Sequence, residues 1–204
     1  MNRRDFILST STGAFAAVTG ATVAHAEGMA PMQSPMAWTD EHGLTRFLQV
    51  DTAPLENEFE KYPRCPYCGM MRERFSFSRH LIVYDNDTVD ATCSIHCASI
   101  SLALNMDAGP KTIYAGDAGA DGDIKPLVEV EQLTYVFNPD KPGTMTMHSK
   151  FAFADPAKAE AAVAESPNAR AMTFDEALRV AYAEMADNTI MLRKRRGEKR
   201  SSSN

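Results

Sequence analysis

Alternating and continuous apolar stretches divide the middle of the chain into short predicted strands and helices. Residues 75–84 alternate and then run apolar, and the Asp-Asn-Asp at 85–87 separates them from residues 88–92. This pattern predicts a β-hairpin, because strand side chains alternate between the faces of a sheet and Asp-Asn-Asp favours a turn. Ser94 can then cap a helix that runs to about Asn105. These elements form a first ββα unit.

The second half of the folded region has a similar arrangement of shorter elements, interrupted by an Asp/Gly-rich loop at 117–123. The predicted strands are 112–116, 127–137, 145–154 and 170–173. Pro156 suits the first position of a helix that runs to about Glu165, and a second helix is predicted from Phe174 to about Ala186. The sequence therefore predicts an α+β fold of two small ββα-type lobes, without the regular βαβ alternation of a parallel sheet.

The first 26 residues are predicted to be an export signal. Arg3 and Arg4 precede a weakly apolar stretch, and the Ala-His-Ala at 24–26 has the small-x-small pattern of a cleavage site. Paired arginines followed by Phe6 are typical of the twin-arginine route, and an ordinary secretory signal would give the same destination. We expect a mature periplasmic chain beginning near Glu27. It should not span a membrane, because no other stretch reaches the roughly 20 apolar residues required.

Composition and charge divide the chain further. The predicted segments are the signal at 1–26, an extended Met-rich arm at 27–58, a first lobe at 59–110, a second lobe at 111–188 and a basic disordered tail at 189–204. The formal net charge of −6 argues against general nucleic-acid binding, because phosphate contacts require a basic surface. Residues 193–200 nevertheless carry +5, whereas residues 27–192 hold 13 basic and 25 acidic residues, a net charge of −12.

All four cysteines lie within 33 residues, in one C-x2-C pair and one C-x3-C pair. Cys65 and Cys68 belong to the sequence Cys-Pro-Tyr-Cys-Gly-Met, and Cys93 and Cys97 lie at the start of the predicted first helix. The turn around the first pair, residues 65–70, is called here the knuckle. A knuckle followed by a hairpin and a second cysteine pair can bring four sulfurs together, as metal sites require. The positive end of the helix also favours thiolates at the second pair.

Three chemistries compete for these cysteines. In an oxidising compartment they can form disulfides or hold a tetrahedral zinc ion that staples the lobe. Cys-Pro-Tyr-Cys also matches the active-site tetrapeptide of glutaredoxins, but no predicted helix follows it to lower a thiol pKa, which disfavours a thiol–disulfide oxidoreductase. The third is Cu(I), a soft ion for which thiolate and thioether are suitable ligands.

Methionines supply further soft ligands. Met70 lies two residues after the C-x2-C pair, and Met145 and Met147 lie on a predicted strand, where alternation places them on one face. Packing in the core is the alternative for this second pair, since methionine fills gaps well. The methionines at positions 29, 32 and 36 form a run that either captures Cu(I) or belongs to a flexible linker.

The histidines of the folded region are less informative. His96 lies at the predicted helix start, where it can point to a metal or to solvent, and His148 follows the second methionine pair. His80 is expected on the surface of a strand. No nucleophile triad order, phosphate-binding glycine loop or nucleotide fingerprint occurs, so no catalytic activity is predicted.

Between residues 62 and 184 the chain carries Cys-Pro-Tyr-Cys-Gly-Met, a hairpin, a Cys-Ser helix start, Gly-x-Met and Ala-Phe-Ala-Asp, in that order. This order of motifs resembles the NosL family, the accessory proteins of nitrous oxide reductase. The resemblance implies an extracytoplasmic Cu(I) chaperone that serves apo nitrous oxide reductase or its membrane transporter maturation complex. It also implies that Cys68 and Met70 bind Cu(I) directly, with Met145 or Met147 as a distant ligand.

Two features depart from the family pattern. Typical members are lipoproteins, whereas this signal has no cysteine, and the Cys93/Cys97 pair is present in full, so a second metal site or a disulfide can accompany copper. The alternative function is a zinc- or disulfide-stapled interaction protein of a membrane complex. Dimerisation through a shared copper ion stays open. The candidate metal ligands are Cys65, Cys68, Met70, Cys93, His96, Cys97, Met145, Met147 and His148.

Overall fold

A computed structural model of the protein describes residues 48–202, which form a mixed α+β fold. The elements in chain order are β1 (Gln49–Val50), α1 (Glu58–Lys61), β2 (His80–Tyr84), β3 (Thr88–Thr92), α2 (Ile95–Leu104), β4 (Pro110–Gly116), β5 (Leu127–Glu129), a 3-10 turn (Val130–Gln132), β6 (Thr134–Asn138), β7 (Ser149–Phe153), α3 (Pro156–Ala164), β8 (Arg170–Met172) and α4 (Phe174–Ser202). The predicted export signal and the methionine run at 29–36 lie outside the described residues. Between residues 48 and 202, none of the helices combines the length and the apolar character that crossing a bilayer demands.

The first sheet has five antiparallel strands in the order β1-β3-β2-β4-β5. Strands β2 and β3 form the predicted hairpin, in which Leu81 is opposite Ala91 and Val83 is opposite Val89. All five residues of β2 are buried, because Ile82 faces a core that includes helix α2 while Leu81 packs in a second cluster on the other face. The continuous apolar run in β2 therefore reflects burial on both faces.

The second sheet has three strands in the order β7-β6-β8. Tyr135 of β6 is opposite Ala152 of β7 and Met172 of β8, and all three are buried in the main core. Helix α3 begins as predicted, with Pro156 at its first position and the Asp155 carboxylate accepting a 2.8 Å hydrogen bond from the Ala157 amide.

Three predicted strands differ from the observed ones by more than two residues. Residues 75–79 form turns, in which the amides of Ser78 and Arg79 both donate to the Phe75 carbonyl, so β2 starts only at His80. The predicted strand at 127–137 is split by the 3-10 turn, and the one at 145–154 starts at Ser149. In addition, β4 and β5 hydrogen-bond into the first sheet, although they lie within the predicted second lobe.

Two predicted irregular segments are ordered. The end of the predicted arm forms β1, which pairs with β3, and Asp51 accepts hydrogen bonds of 2.6 Å from both Lys61 and Tyr62. The segment predicted to be a disordered tail is helical to Ser202, because α4 continues without interruption. Its Leu, Met, Arg and Lys residues have good helix propensity, and basic side chains favour the negative end of a helix.

His80 is buried between the two sheets, which contradicts the expected place on a strand surface. Its Nδ1 atom lies 3.0 Å from the Ser78 carbonyl oxygen, so Nδ1–H donates there, and Nε2 accepts from the Tyr135 hydroxyl at 2.9 Å. Burial lowers the pKa of His80 from about 6.5 to about 4. The imidazole is therefore neutral in the folded protein at neutral pH.

Acidification is expected to destabilise the protein through His80. Because the pKa of His80 is lower in the folded protein, its contribution is complete above about pH 6.5 and is lost as the pH falls from 6.5 towards 4. Between pH 7 and pH 5 this loss is about 2 kcal/mol in the free energy of unfolding. Urea denaturation at both pH values should show it in the parent protein and not in His80→Gln. An equal pH dependence in the two proteins would contradict the assignment.

Candidate metal centre

The four cysteine sulfurs form one cluster, in which every sulfur lies within 4.8 Å of the others. The Cys93 sulfur lies 3.3 Å from that of Cys68 and 3.8 Å from that of Cys97, and all four residues are free thiols. A tetrahedral metal with sulfur bonds of about 2.3 Å requires sulfur separations of about 3.8 Å. The cluster can therefore accept a metal ion with small side-chain movements.

Two local structures bring the sulfurs together. In the knuckle, the amides of Cys65 and Gly69 donate to the carbonyls of Met70 and Cys65, both at 2.9 Å, and Gly69 adopts a φ of +75° that glycine permits. Cys93 follows β3 directly, and Cys97 lies four residues later in α2, where residues at this spacing are neighbours. The hairpin between these segments folds the knuckle onto the helix start.

Burial of the four sulfurs is unequal. Cys65, Cys93 and Cys97 are at most 1% exposed, whereas Cys68 is half-buried. Hydrogen bonds from the thiols of Cys93 and Cys97 lower the pKa of Cys65, and the same contacts with Cys65 raise the pKa of Cys93 and Cys97. Within the cluster, these contacts favour ionisation of Cys65 over that of Cys93 and Cys97.

The methionines take different positions from one another. Met70 packs against the cysteine cluster and is half-buried, as a ligand at this position would be. Met145 and Met147 do not lie on a strand but in the loop at 144–148, where their exposed fractions are 40% and 67%. Met145 has a φ of +64°, which a strand does not allow. Both the predicted shared strand face and the core alternative are therefore wrong.

Ser78 connects the loop at residues 144–148, called here the methionine loop, to the segment that carries Cys93. The Ser78 hydroxyl lies 2.9 Å from the Cys93 carbonyl oxygen and 2.8 Å from the Thr144 hydroxyl oxygen. Gly143 gives the loop its tight turn, because a Cβ there would lie 2.4 Å from the His148 carbonyl oxygen. The loop is therefore held beside the helix start that carries Cys93.

The two candidate histidines lie outside the group of four sulfurs. His96 is half-buried, burial lowers its pKa, and its buried Nδ1 has no hydrogen-bond partner among the described residues. The His148 Nδ1 lies 2.7 Å from a Glu184 oxygen, and Lys150 donates to the other Glu184 oxygen at 2.6 Å. His148 therefore links the methionine loop to α4.

Comparison with known proteins adds a family assignment to this geometry. The sequence model of the NosL family matches residues 56–179, a range that contains the four cysteines and the methionine loop. The chain belongs to the NosL family. A solved structure described as the copper chaperone NosL from Shewanella denitrificans is 20% identical, covers 55% of this chain and 87% of its own, and has a TM-score of 0.46. No curated protein matched this chain.

Beside the cluster, this NosL-family chain has a buried ionic group that its sequence did not predict. Arg72 donates to Glu58 at 2.8 Å and to the Tyr62 carbonyl at 2.9 Å, and Arg79 pairs with the other Glu58 oxygen. The Arg72 guanidinium also interacts electrostatically with Cys65. No sequence pattern indicated this group, because its members lie 14 and 21 positions apart and share no helix or strand.

A second polar group ties the knuckle of this NosL-family chain to the first sheet and α2. The Tyr67 hydroxyl donates a short hydrogen bond to Asp90 of β3, and Ser101 of α2 donates to the same carboxylate oxygen at 2.5 Å. Burial raises the pKa of Asp90. The Cys-Pro-Tyr-Cys tyrosine thus anchors the knuckle, a role that the glutaredoxin comparison did not suggest.

Proposed function

We propose that this protein is a copper-binding metallochaperone whose site consists of the four-cysteine cluster and Met70. The observation that carries the proposal is the grouping of four sulfurs within 4.8 Å, with a thioether packed against them. Thiolates and thioethers are soft ligands that select Cu(I). Membership of the NosL family supports the same function, since the motif resemblance implies copper chaperones.

Access to the site favours transfer over permanent storage. Cys68 and Met70 are half-buried, while the other three cysteines are buried. The exposed methionine loop lies next to the same helix start, so a partner meets thioethers before it meets the buried thiolates. A ligand set that is open on one side allows an incoming ligand to displace a bound one.

The destination of the copper is a further part of the proposal. The predicted export signal supports a periplasmic protein, and the motif resemblance supports delivery to apo nitrous oxide reductase or to its membrane transporter maturation complex. The chemistry is binding and transfer of Cu(I), so the chain needs no catalytic residue.

A structural zinc site is the second candidate, and one sulfur separation favours it specifically. The 3.8 Å between Cys93 and Cys97 is close to that expected for tetrahedral zinc thiolate. Such a site would be closed and would stabilise the first sheet against α2. It would not require Met70, and this difference separates the two candidates.

Cu(I) titration tests the proposal. The full chain, reduced under anaerobic conditions, should take up Cu(I) in competition with a chromophoric chelator, and elemental analysis should give its stoichiometry. We expect Cys68→Ser and Met70→Ala each to weaken Cu(I) binding about 10-fold or more while the near-UV circular dichroism is retained. Met145→Leu/Met147→Leu tests the methionine loop in the same titration.

The neighbouring Met71 supplies the matched control. It is 47% exposed, and Met71→Ala should leave Cu(I) affinity unchanged. The proposal fails if Cys68→Ser unfolds the protein while Met70→Ala behaves like Met71→Ala. Zinc retained throughout the procedure, with no copper uptake, would establish the structural zinc site instead.

A further inference from the structure

The last described turns of α4 carry a concentration of positive charge that copper binding does not explain. Within residues 193–200, called here the basic helix end, the charged residues are Arg193, Lys194, Arg195, Arg196, Glu198, Lys199 and Arg200. Their net charge is +5, whereas residues 48–192 hold 12 basic and 22 acidic residues, a net charge of −10. The basic helix end and the rest of the described chain thus have opposite charge.

The basic helix end extends beyond the packed part of the fold. The buried residues of α4 are Ala177 and Ala181, and no described residue of the helix after Ala181 is buried. At 1.5 Å per residue, Arg196 lies roughly 22 Å along the helix from Ala181. Its arginines are exposed, so they are available to a partner.

The distribution of charge around the helix indicates the kind of partner. Residues 193–196 are consecutive and basic, and consecutive helical residues differ by about 100° in direction, so the charge surrounds the helix and does not form one face. The basic helix end therefore presents positive charge to a negatively charged surface on whichever side that surface approaches. Just before the basic helix end, Ile190 and Leu192 are 47% and 48% exposed, and because they point about 200° apart around the helix, only one of them can face a given surface. Exposed apolar residues beside a basic cluster are typical of segments that bind membrane surfaces.

We propose that the basic helix end binds the anionic surface of a lipid bilayer. The basic side chains attract acidic headgroups, and the one of Ile190 and Leu192 that faces the bilayer can enter the boundary between headgroups and acyl chains. The acidic body is repelled by the same surface, so attachment through the helix end holds the cysteine cluster away from the lipid. This interaction is independent of metal binding.

Vesicle sedimentation tests the proposal with the full chain. Vesicles of phosphatidylcholine with about 30 mol% phosphatidylglycerol serve as the anionic surface, and phosphatidylcholine alone sets the baseline. We expect Arg195→Gln/Arg196→Gln to weaken binding to the anionic vesicles about tenfold or more, since each basic residue near such a surface contributes substantially. Raising NaCl from about 50 mM to about 500 mM should abolish most of the binding by the parent protein.

The matched control is Arg74→Gln/Arg179→Gln, which removes two exposed arginines of the body with the same change in net charge. Far-UV circular dichroism checks that both variants keep the parent helix content. The proposal is overturned if the two double variants bind the anionic vesicles equally well. It is also overturned if the parent protein ignores these vesicles at low salt but self-associates through the basic helix end, which would identify an acidic protein surface as the partner.

Discussion

Replacing Glu58 by glutamine is expected to lower the free energy of unfolding by about 3–5 kcal/mol. Its carboxylate is the counter-ion of two guanidinium groups, those of Arg72 and Arg79, whose side chains are 0% and 3% exposed. Glutamine has nearly the same shape but no charge, so the substitution leaves two cations buried without their anion. The large effect comes from this uncompensated charge more than from the lost hydrogen bonds.

Urea denaturation followed by circular dichroism measures this effect. Glu60→Gln is the matched control, because Glu60 belongs to the same short helix but is exposed. Its expected change is within about 0.5 kcal/mol. If Glu58→Gln and Glu60→Gln gave the same stability, the buried ionic group would not support the fold, and Arg72 would have to be satisfied by its contacts to backbone carbonyls.

Replacing Cys93 by serine is expected to lower Cu(I) affinity more than any other single change in the cluster. The Cys93 sulfur contacts the sulfurs of both Cys68 and Cys97, so it is shared between the knuckle and the helix start. A hydroxyl is a harder and weaker donor for Cu(I) than a thiolate. The loss should exceed the roughly 10- to 100-fold that accompanies removal of a group supporting a ligand.

Competition with a chromophoric chelator measures this loss, and Ser94→Ala is its control. The Ser94 hydroxyl lies 3.8 Å from the Cys93 sulfur, so the control alters the neighbourhood and keeps all four thiols. Near-UV circular dichroism of the metal-free variants separates loss of a ligand from loss of the fold. Unchanged Cu(I) affinity in Cys93→Ser would restrict copper to Cys68, Met70 and their immediate neighbours.

The elements that the sequence predicted correctly are those specified by local signals. The hairpin at 80–92 follows from an apolar run, turn residues and a second short run, and α2 begins where Ser94 indicated. The grouping of four cysteines follows from two short spacings placed on either side of that hairpin. In each case the deciding contacts join residues that are close in sequence or adjacent along one hairpin.

The failures arise where a tight turn or a contact between strands and loops overrides the alternation of apolar and polar residues. Thr-Met-Thr-Met alternates like a strand, but the close approach of Gly143 to the His148 carbonyl and the positive φ of Met145 make it a loop. His80 looked like a surface residue because the alternation of β2 could not reveal that Tyr135, 55 positions away, covers it. The pairing of Glu58 with Arg72 and Arg79 spans 14 and 21 positions and also leaves no periodic signal.

The cluster takes its cysteines from two separate segments, and this affects which parts of the protein can unfold locally. The knuckle supplies Cys65 and Cys68, the helix start supplies Cys93 and Cys97, and the whole β2–β3 hairpin lies between them. A metal bound to both pairs would close the chain from residue 65 to residue 97 into a ring. In the loaded protein these residues would then exchange their amide hydrogens as one cooperative unit, whereas in the empty protein the knuckle can open while the hairpin stays closed.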